Sequence, residues 1–248
     1  MGAAVLSSKA ALRSGIGLLT VHAPSEGINI LQVAVPEAMC VADIQDDHFS
    51  SFARSLAQFS AVAIGPGIGT SQGSFMLLRR ILANHSRVVI DADALNLIAE
   101  NPILLEQFPE HTILTPHPKE FERLAGVSAS GIDRLDRLVH FAQTYRCTVI
   151  LKDAITAVAT QEGQVFFNTT GNPGMATGGS GDVLTGIVLG LLSQGYPAEI
   201  AAQIAVYFHG KAGDTAAANR GQLALIAGDL IEELRIEPAS ELNEYTTL

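Results

Sequence analysis

The chain is 248 residues long, carries a formal net charge of −10, and is 48% hydrophobic and 16% charged, which suits one α/β domain with a large core and little disorder. With no cluster of lysine and arginine and no tryptophan it does not read as a nucleic-acid binder, and no apolar run approaches the roughly 18 residues that span a bilayer. The N-terminus lacks the basic-then-apolar pattern of a secretory leader, and Cys40 and Cys147 show neither metal nor disulfide spacing, so both are expected to be buried thiols of a cytoplasmic protein.

Residues 2–14 read as a helix with Ala, Val and Leu on one side, followed by Gly15-Ile16-Gly17 and strands at 18–22 and 31–35. A doubly wound domain ordinarily opens on a buried strand, so this chain is expected to lack its first strand. A short apolar strand at 61–65 runs into Gly-Pro-Gly-Ile-Gly (65–69), where glycines at a strand's carboxyl end let a ligand approach the backbone. An amphipathic helix covers 74–84. The strand at 88–91 then ends in Asp-Ala-Asp-Ala-Leu-Asn (91–96), with Asp93 expected to cap the helix that starts near Ala94.

The strand at 112–115 leads to Pro-His-Pro-Lys-Glu (116–120), in which two prolines hold His117 out of regular structure. Glu120 is either a helix N-terminal charge or a group that positions Mg²⁺ through water. A helix at 131–145 precedes a strand at 148–152, and a hairpin follows with arms at 155–160 and 164–168. Lys152, at that strand's end, is either a solvated terminus or a contact for phosphate or ribose. Helices are expected at 183–192, 197–217 and 227–236, with His209 a satisfied core residue; residues 238–248 form a polar tail after a single domain at 1–237.

The most informative stretch is 171–192, which places six glycines in its first sixteen residues and then turns apolar. Gly178, Gly179 and Gly181 let consecutive N–H groups converge, and the first turn of the following helix adds partial positive charge. Together with the amide of Ser180 this makes a phosphate site, or simply a helix-capping loop. Asp182 sits where a carboxylate would repel that anion, which suggests a base for a hydroxyl attacking a phosphoryl group. At a helix N-terminus its pKa is expected to be depressed. The acidic chain must meet any nucleotide locally, through amides, a lysine or Mg²⁺.

The order GPGIG, DADALN, TPHPKEFERL and NPGMATGGSGDVLTG, with the opening GAAVLSSKAALRSGIGLLTV, resembles the ADP/ATP-dependent NAD(P)H-hydrate dehydratases over nearly the whole chain. That family is the carbohydrate-kinase-like domain often fused to an NAD(P)H-hydrate epimerase. The resemblance implies a ribokinase-like three-layer α/β/α sandwich, here without the family's first strand and the epimerase domain. It implies a lyase reaction on NADH or NADPH hydrate with Mg²⁺ and ADP or ATP as co-substrate, in a homo-oligomer, a tetramer, linked functionally to an epimerase. It also implies residue roles. Ala3, Gly67 and His117 match positions that contact the hydrated nucleotide, and Asp182 the residue that meets the hydrate. Lys152, Asp153, Ala154, Ile155 and Thr156 match the adenine-nucleotide segment, with Gly181 at its phosphates. His117 stands where many ribokinase-like kinases have the Asn of Asn-x-x-Glu, and Glu120 at the Glu. Two other readings share the motifs: a small-molecule kinase for a vitamin precursor, and a nucleotide-binding protein without turnover.

Overall fold

A computed structural model describes residues 1–50, 52 and 54–236; the polar tail expected at 238–248 lies outside them. Four strands, β3 (Val62–Ile64), β4 (Arg87–Ile90), β5 (His111–Leu114) and β6 (Thr148–Leu151), run parallel in chain order. The antiparallel strands β7 (Ala157–Ala159) and β8 (Val165–Phe167) extend the sheet beyond β6. The four parallel strands are short and mostly apolar, as strands covered on both faces must be, whereas Phe166 and Phe167 leave β8 exposed.

Side-chain alternation builds two cores from one sheet. Val88, Ile90, Leu114, Val149 and Leu151 turn to one face, where they meet α3 (Gln72–Asn84), α4 (Asp93–Glu100), α5 (Pro118–Ala125) and α6 (Gly131–Thr144). Val89, Ile113, Ile150 and Val158 turn to the other, against α7 (Ser180–Ser193), α8 (Ala198–Arg220) and α9 (Ala227–Glu232). The result is the expected three-layer α/β/α sandwich.

The N-terminal α1 (Gly2–Arg13) lies along α7. Contact is close because Gly186 and Gly190, one turn apart on α7, leave room for it: a Cβ at Gly186 would run into the Ser7 carbonyl, and one at Gly190 into Ser14. This crossing carries α1 to the glycine turn, where Leu6 packs over Gly179.

One expected strand is a helix. Residues 31–35 belong mostly to α2 (Ile28–Ala34), and the strand of this region is β2 (Met39–Ala42), which pairs in parallel with β1 (Thr20–Ala23) in a separate two-stranded sheet. Leu-Gln-Val-Ala-Val alternates like a strand, yet Leu31 and Val35 are buried while Val33 is 85% exposed. Burial at i and i+4 is one helical face, and a run this short fits both periods. The thiols differ as well: Cys147 is buried, which pushes its pKa up, whereas Cys40 is only half-buried.

Candidate active site

Parallel strands deliver their following loops to one edge, and here that edge gathers the chemistry. After β3 comes Gly65–Gly69, after β4 Asp91 and Asp93, after β5 His117, and after β6 Lys152. Gly65 (φ +135) lies so close to the Asp91 backbone that a Cβ would overlap the Asp91 carbonyl. Gly69 N donates to Asp93 Oδ2 at 2.8 Å, so the two loops form one surface. Asp93 is therefore no cap: Ala92 holds the N-cap position of α4, and Asp93 stands in the first turn. A Cβ built on Gly67 (φ +67) would sit 3.6 Å from Ala3 Cβ, which brings α1 to the same loop. Beside this loop, between α4 and α5, is a cavity of about 500 Å³ lined by Thr70, Asn96, Ala99, Glu100 and Arg123. A somewhat larger hollow, near Phe59, His85 and Arg87, lies at the amino end of β4, away from these groups.

The glycine turn enters from the other side. Gly179 is the N-cap of α7 at φ +91 and offers no side chain to the helix amides. Ser180 N donates to Thr177 O at 3.3 Å, while helix geometry leaves the Gly181 and Asp182 amides without an intrahelical acceptor. A Cβ at Gly178 would meet nothing within 4 Å, so this residue faces open space; one at Gly181 would be 3.2 Å from Lys152 Nζ. The Lys152 ammonium thus stands over the first turn of α7, where an anion would dock.

Asp182 departs from expectation. Its pKa is raised from 3.8 to about 6, first by burial, then by repulsion from Asp91 and, less, Asp93; the attraction of Lys152 offsets only part of this. A depressed value follows from the helix end alone, and burial together with two carboxylates distant in sequence overrides it. The carboxylate is a competent base near neutral pH.

Ser180 contributes backbone only, since its hydroxyl lies 3.3 Å from His209 Nε2, whose ring also contacts Ser180 O at 3.0 Å. Burial lowers the pKa of His209 to about 4, so it is the neutral, satisfied residue anticipated from the sequence. Asp153, Ala154 and Ile155 form an exposed connection between β6 and β7. Asp153 is held by Arg134 at 2.8 Å, and the Thr156 carbonyl accepts from Asn168 N. Lys152 joins this segment to α7.

His117 and Glu120 are engaged with each other. Lys119 N and Glu120 N donate to His117 Nδ1 (3.2 and 3.3 Å), and His117 N donates to Glu120 Oε2 (2.8 Å). This capping box closes the N-terminus of α5. With Nδ1 accepting, the neutral ring carries its proton on Nε2, 3.5 Å from Glu120 Oε1. Among the described residues no group of three or more His, Cys, Asp or Glu side chains could hold a metal ion.

Three contributors were missed from the sequence. Asp91, 2% exposed, pairs with Lys152 Nζ at 2.8 Å and accepts from Thr185 Oγ1 at 2.7 Å. The signal for Thr185 was a lone hydroxyl in the apolar run of α7, one turn past Asp182. Asp214, on α8, accepts from Gly171 N (2.9 Å) and Asn172 Nδ2 (3.0 Å) and so moors the loop that feeds the glycine turn; no local signal marks it.

An α/β sandwich with an open helix end, a lysine and a carboxylate at one sheet edge is an arrangement able to receive an anionic ligand. The NAD(P)H-hydrate dehydratase family of carbohydrate-kinase type matches residues 1–235, and the chain belongs to that family. It is 41% identical over 244 residues to the bifunctional NAD(P)H-hydrate repair enzyme of Moorella thermoacetica, covering 94% of this chain and 46% of that one. It is 34% identical over 242 residues to the ADP-dependent (S)-NAD(P)H-hydrate dehydratase of Neisseria meningitidis serogroup B, covering 94% and 79%. The chain spans about half the length of most curated relatives it matches. Among solved structures, the ADP/ATP-dependent NAD(P)H-hydrate dehydratase of Bacillus subtilis, co-crystallised with ATP/Mg²⁺, superposes with a TM-score of 0.80 at 29% identity, covering 94% of this chain and 84% of that one. The fold is the ribokinase-like fold of these dehydratases.

Proposed function

We propose that the chain catalyses nucleotide-dependent dehydration of (6S)-NAD(P)H hydrate back to NADH or NADPH, a repair reaction of the lyase class. The observation that carries this reading is Asp182, with a pKa near 6, beside an uncapped helix end and the Lys152 ammonium. Relatives named for ADP-dependent dehydration and a structure holding ATP/Mg²⁺ support it.

Hydroxide leaves poorly because water has a pKa near ~15.7, whereas phosphate leaves as an anion whose second pKa is roughly 6. The hydrate hydroxyl oxygen attacks the terminal phosphorus of ADP or ATP, the bridging P–O bond breaks, and AMP or ADP departs with the electron pair. Asp182 takes the hydroxyl proton. The C–O bond of the phosphorylated ring then breaks, phosphate takes the electron pair, and the neighbouring carbon gives up a proton as the double bond reforms. Lys152 and the amides of Gly178, Gly179 and Gly181 balance charge on the transferring group, the Ser180 amide being engaged by Thr177 O. Lys152 through Thr156 receive the adenine nucleotide; Ala3, Gly67 and His117 receive the hydrate.

Mg²⁺, when bound, would supply charge neutralisation at the nucleotide phosphates. The residues fit a cation that arrives on those phosphates, since both Asp91 oxygens are taken and no protein cage exists among the described residues. Glu120 Oε1 contributes to it through water. The assembly is a homo-oligomer, a tetramer by family resemblance. Exposed apolar side chains such as Leu18 (81%) and Val33 (85%) are consistent with this. The protein acts in the cytoplasm as one domain over residues 1–237, downstream of an NAD(P)H-hydrate epimerase; among the described residues no helix is long and apolar enough to cross a membrane.

The test mixes NADH hydrate with the protein, Mg²⁺ and either ADP or ATP, and follows absorbance at the reduced-nicotinamide band. Recovery with release of phosphate and AMP, or phosphate and ADP, is the expected result and identifies the nucleotide. Phosphorylation of a vitamin-precursor alcohol without recovery would replace this reading with a kinase. Nucleotide binding with no phosphate release would leave a binding protein.

A further inference from the structure

Asp91 is held at the sheet edge by both its backbone and its side chain. Its backbone N donates to Ile64 O at 3.1 Å and its carbonyl accepts from Ala94 N at 3.1 Å, so β3 and α4 hold it in place. Its carboxylate is buried and spends one oxygen on each of two partners: Oδ1 on Lys152 Nζ (2.8 Å) and Oδ2 on Thr185 Oγ1 (2.7 Å). One side chain therefore links the ends of β4 and β6 to the first turns of α7. A buried charge with both oxygens satisfied is tolerated, and a lysine left to itself at a strand end extends into water on a flexible stem.

We propose that Asp91 is a positioning residue: it fixes Lys152 Nζ beside Gly181 and braces α7 through Thr185, so that the cation is in place before any nucleotide arrives. An ammonium has three N–H donors, and the bond to Asp91 leaves two for phosphoryl oxygens. The same carboxylate faces Asp182, together with Asp93 from α4 and Lys152 from β6, and its charge disfavours ionisation of Asp182. His209, on α8 behind Ser180, is neutral and adds no charge near neutral pH. Asp91 thus performs two tasks, holding the cation and tuning the base.

The activity readout of this inference rests on the dehydration proposed above; its structural readout does not. In Asp91→Asn, Lys152 Nζ is expected to leave its place beside Gly181 in a crystal structure. The plateau kcat is expected to fall at least about tenfold, the loss of one charge-assisted contact. The acid limb of kcat should move to lower pH by roughly half a unit or more, because a repelling charge has gone. Thr185→Val removes a bond and no charge, so kcat falls about threefold to tenfold with the acid limb unmoved, and Thr185→Ser restores it. A merely structural Asp91 would not move the acid limb. Lys152 unmoved in Asp91→Asn, with kcat within about twofold and the acid limb in place, would overturn the proposal. Should Asp91→Asn fail to fold, equal kcat for Thr185→Val and Thr185→Ser would overturn it instead. If the unaltered protein turned over no hydrate, the proposed function would fall, and the position of Lys152 in the variant would still decide this inference.

Discussion

Two helix beginnings at the same sheet edge were built in opposite ways. At α5 every device is present: Pro118 follows the cap, His117 Nδ1 accepts two amides, and Glu120 reaches back to His117 N. At α7 the cap is a glycine with no side chain, and the carboxylate in the first turn is pushed toward neutrality by its surroundings. Both ends carry the same partial positive charge. The first spends it on its own side chains, and the second leaves it for a ligand. An acidic residue in a helix's first turn is thus ambiguous in sequence, and becomes a base or a cap according to what the neighbouring strands place against it.

The largest expected effect is on the open end. Asp182→Asn should lower kcat by about 10²–10⁴-fold while ADP affinity changes little, checked by steady-state kinetics and calorimetry. The same variant should be more stable, because a pKa raised from 3.8 to about 6 makes ionised Asp182 a cost to the fold. That cost is absent below about pH 4 and complete above about pH 6. The variant should gain about 1–2 kcal/mol in the neutral range, discounted for the half-exposed setting, and nothing in acid. Denaturation at pH 3.8 and at pH 8 would show equal gains if burial had left Asp182 untouched.

The glycines of the turn separate conformation from approach. Gly179→Val places a side chain at φ +91 and against Leu6 and Ala227, so it should destabilise by about 3 kcal/mol or more and lose nucleotide binding as a consequence. Gly178→Val faces open space; it should keep its Tm within a few degrees yet weaken ADP binding about tenfold by obstructing the amides. Equal effects of the two would mean the turn serves only to cap α7.

The smallest effects belong to the closed end. His117→Ala removes the cap and should cost about 1 kcal/mol in chemical denaturation. Glu120→Gln keeps an acceptor for His117 N and should change stability by less than about 0.5 kcal/mol. If Glu120 also serves Mg²⁺ through water, this variant needs several-fold more Mg²⁺ for half-maximal turnover; an unchanged requirement reduces Glu120 to a cap.

Much of this was legible without coordinates. Strand and helix alternation follows from burial on two faces, and the glycine turn, the Gly65–Gly69 loop and Lys152 declare themselves through residue types whose local chemistry is distinctive. Position 31–35 misled because a five-residue apolar run satisfies both periods; only the burial of Leu31 and Val35 with Val33 exposed separates them.

The amino-acid sequence determined the layer architecture, the order of loops along the sheet edge and the glycine turn with its uncapped helix end, all of which depend on interactions among residues a few positions apart. Tertiary structure alone decided that Asp93 tethers Gly69 and that Asp182 holds its proton to near neutrality. Those outcomes depend on burial and on Coulomb forces between residues as far apart as Asp91 and Lys152, 61 positions in sequence, or Asp91 and Thr185, 94 positions. Such distances carry no periodicity to read. A charge senses its neighbours in space, and only the folded chain says which ones they are.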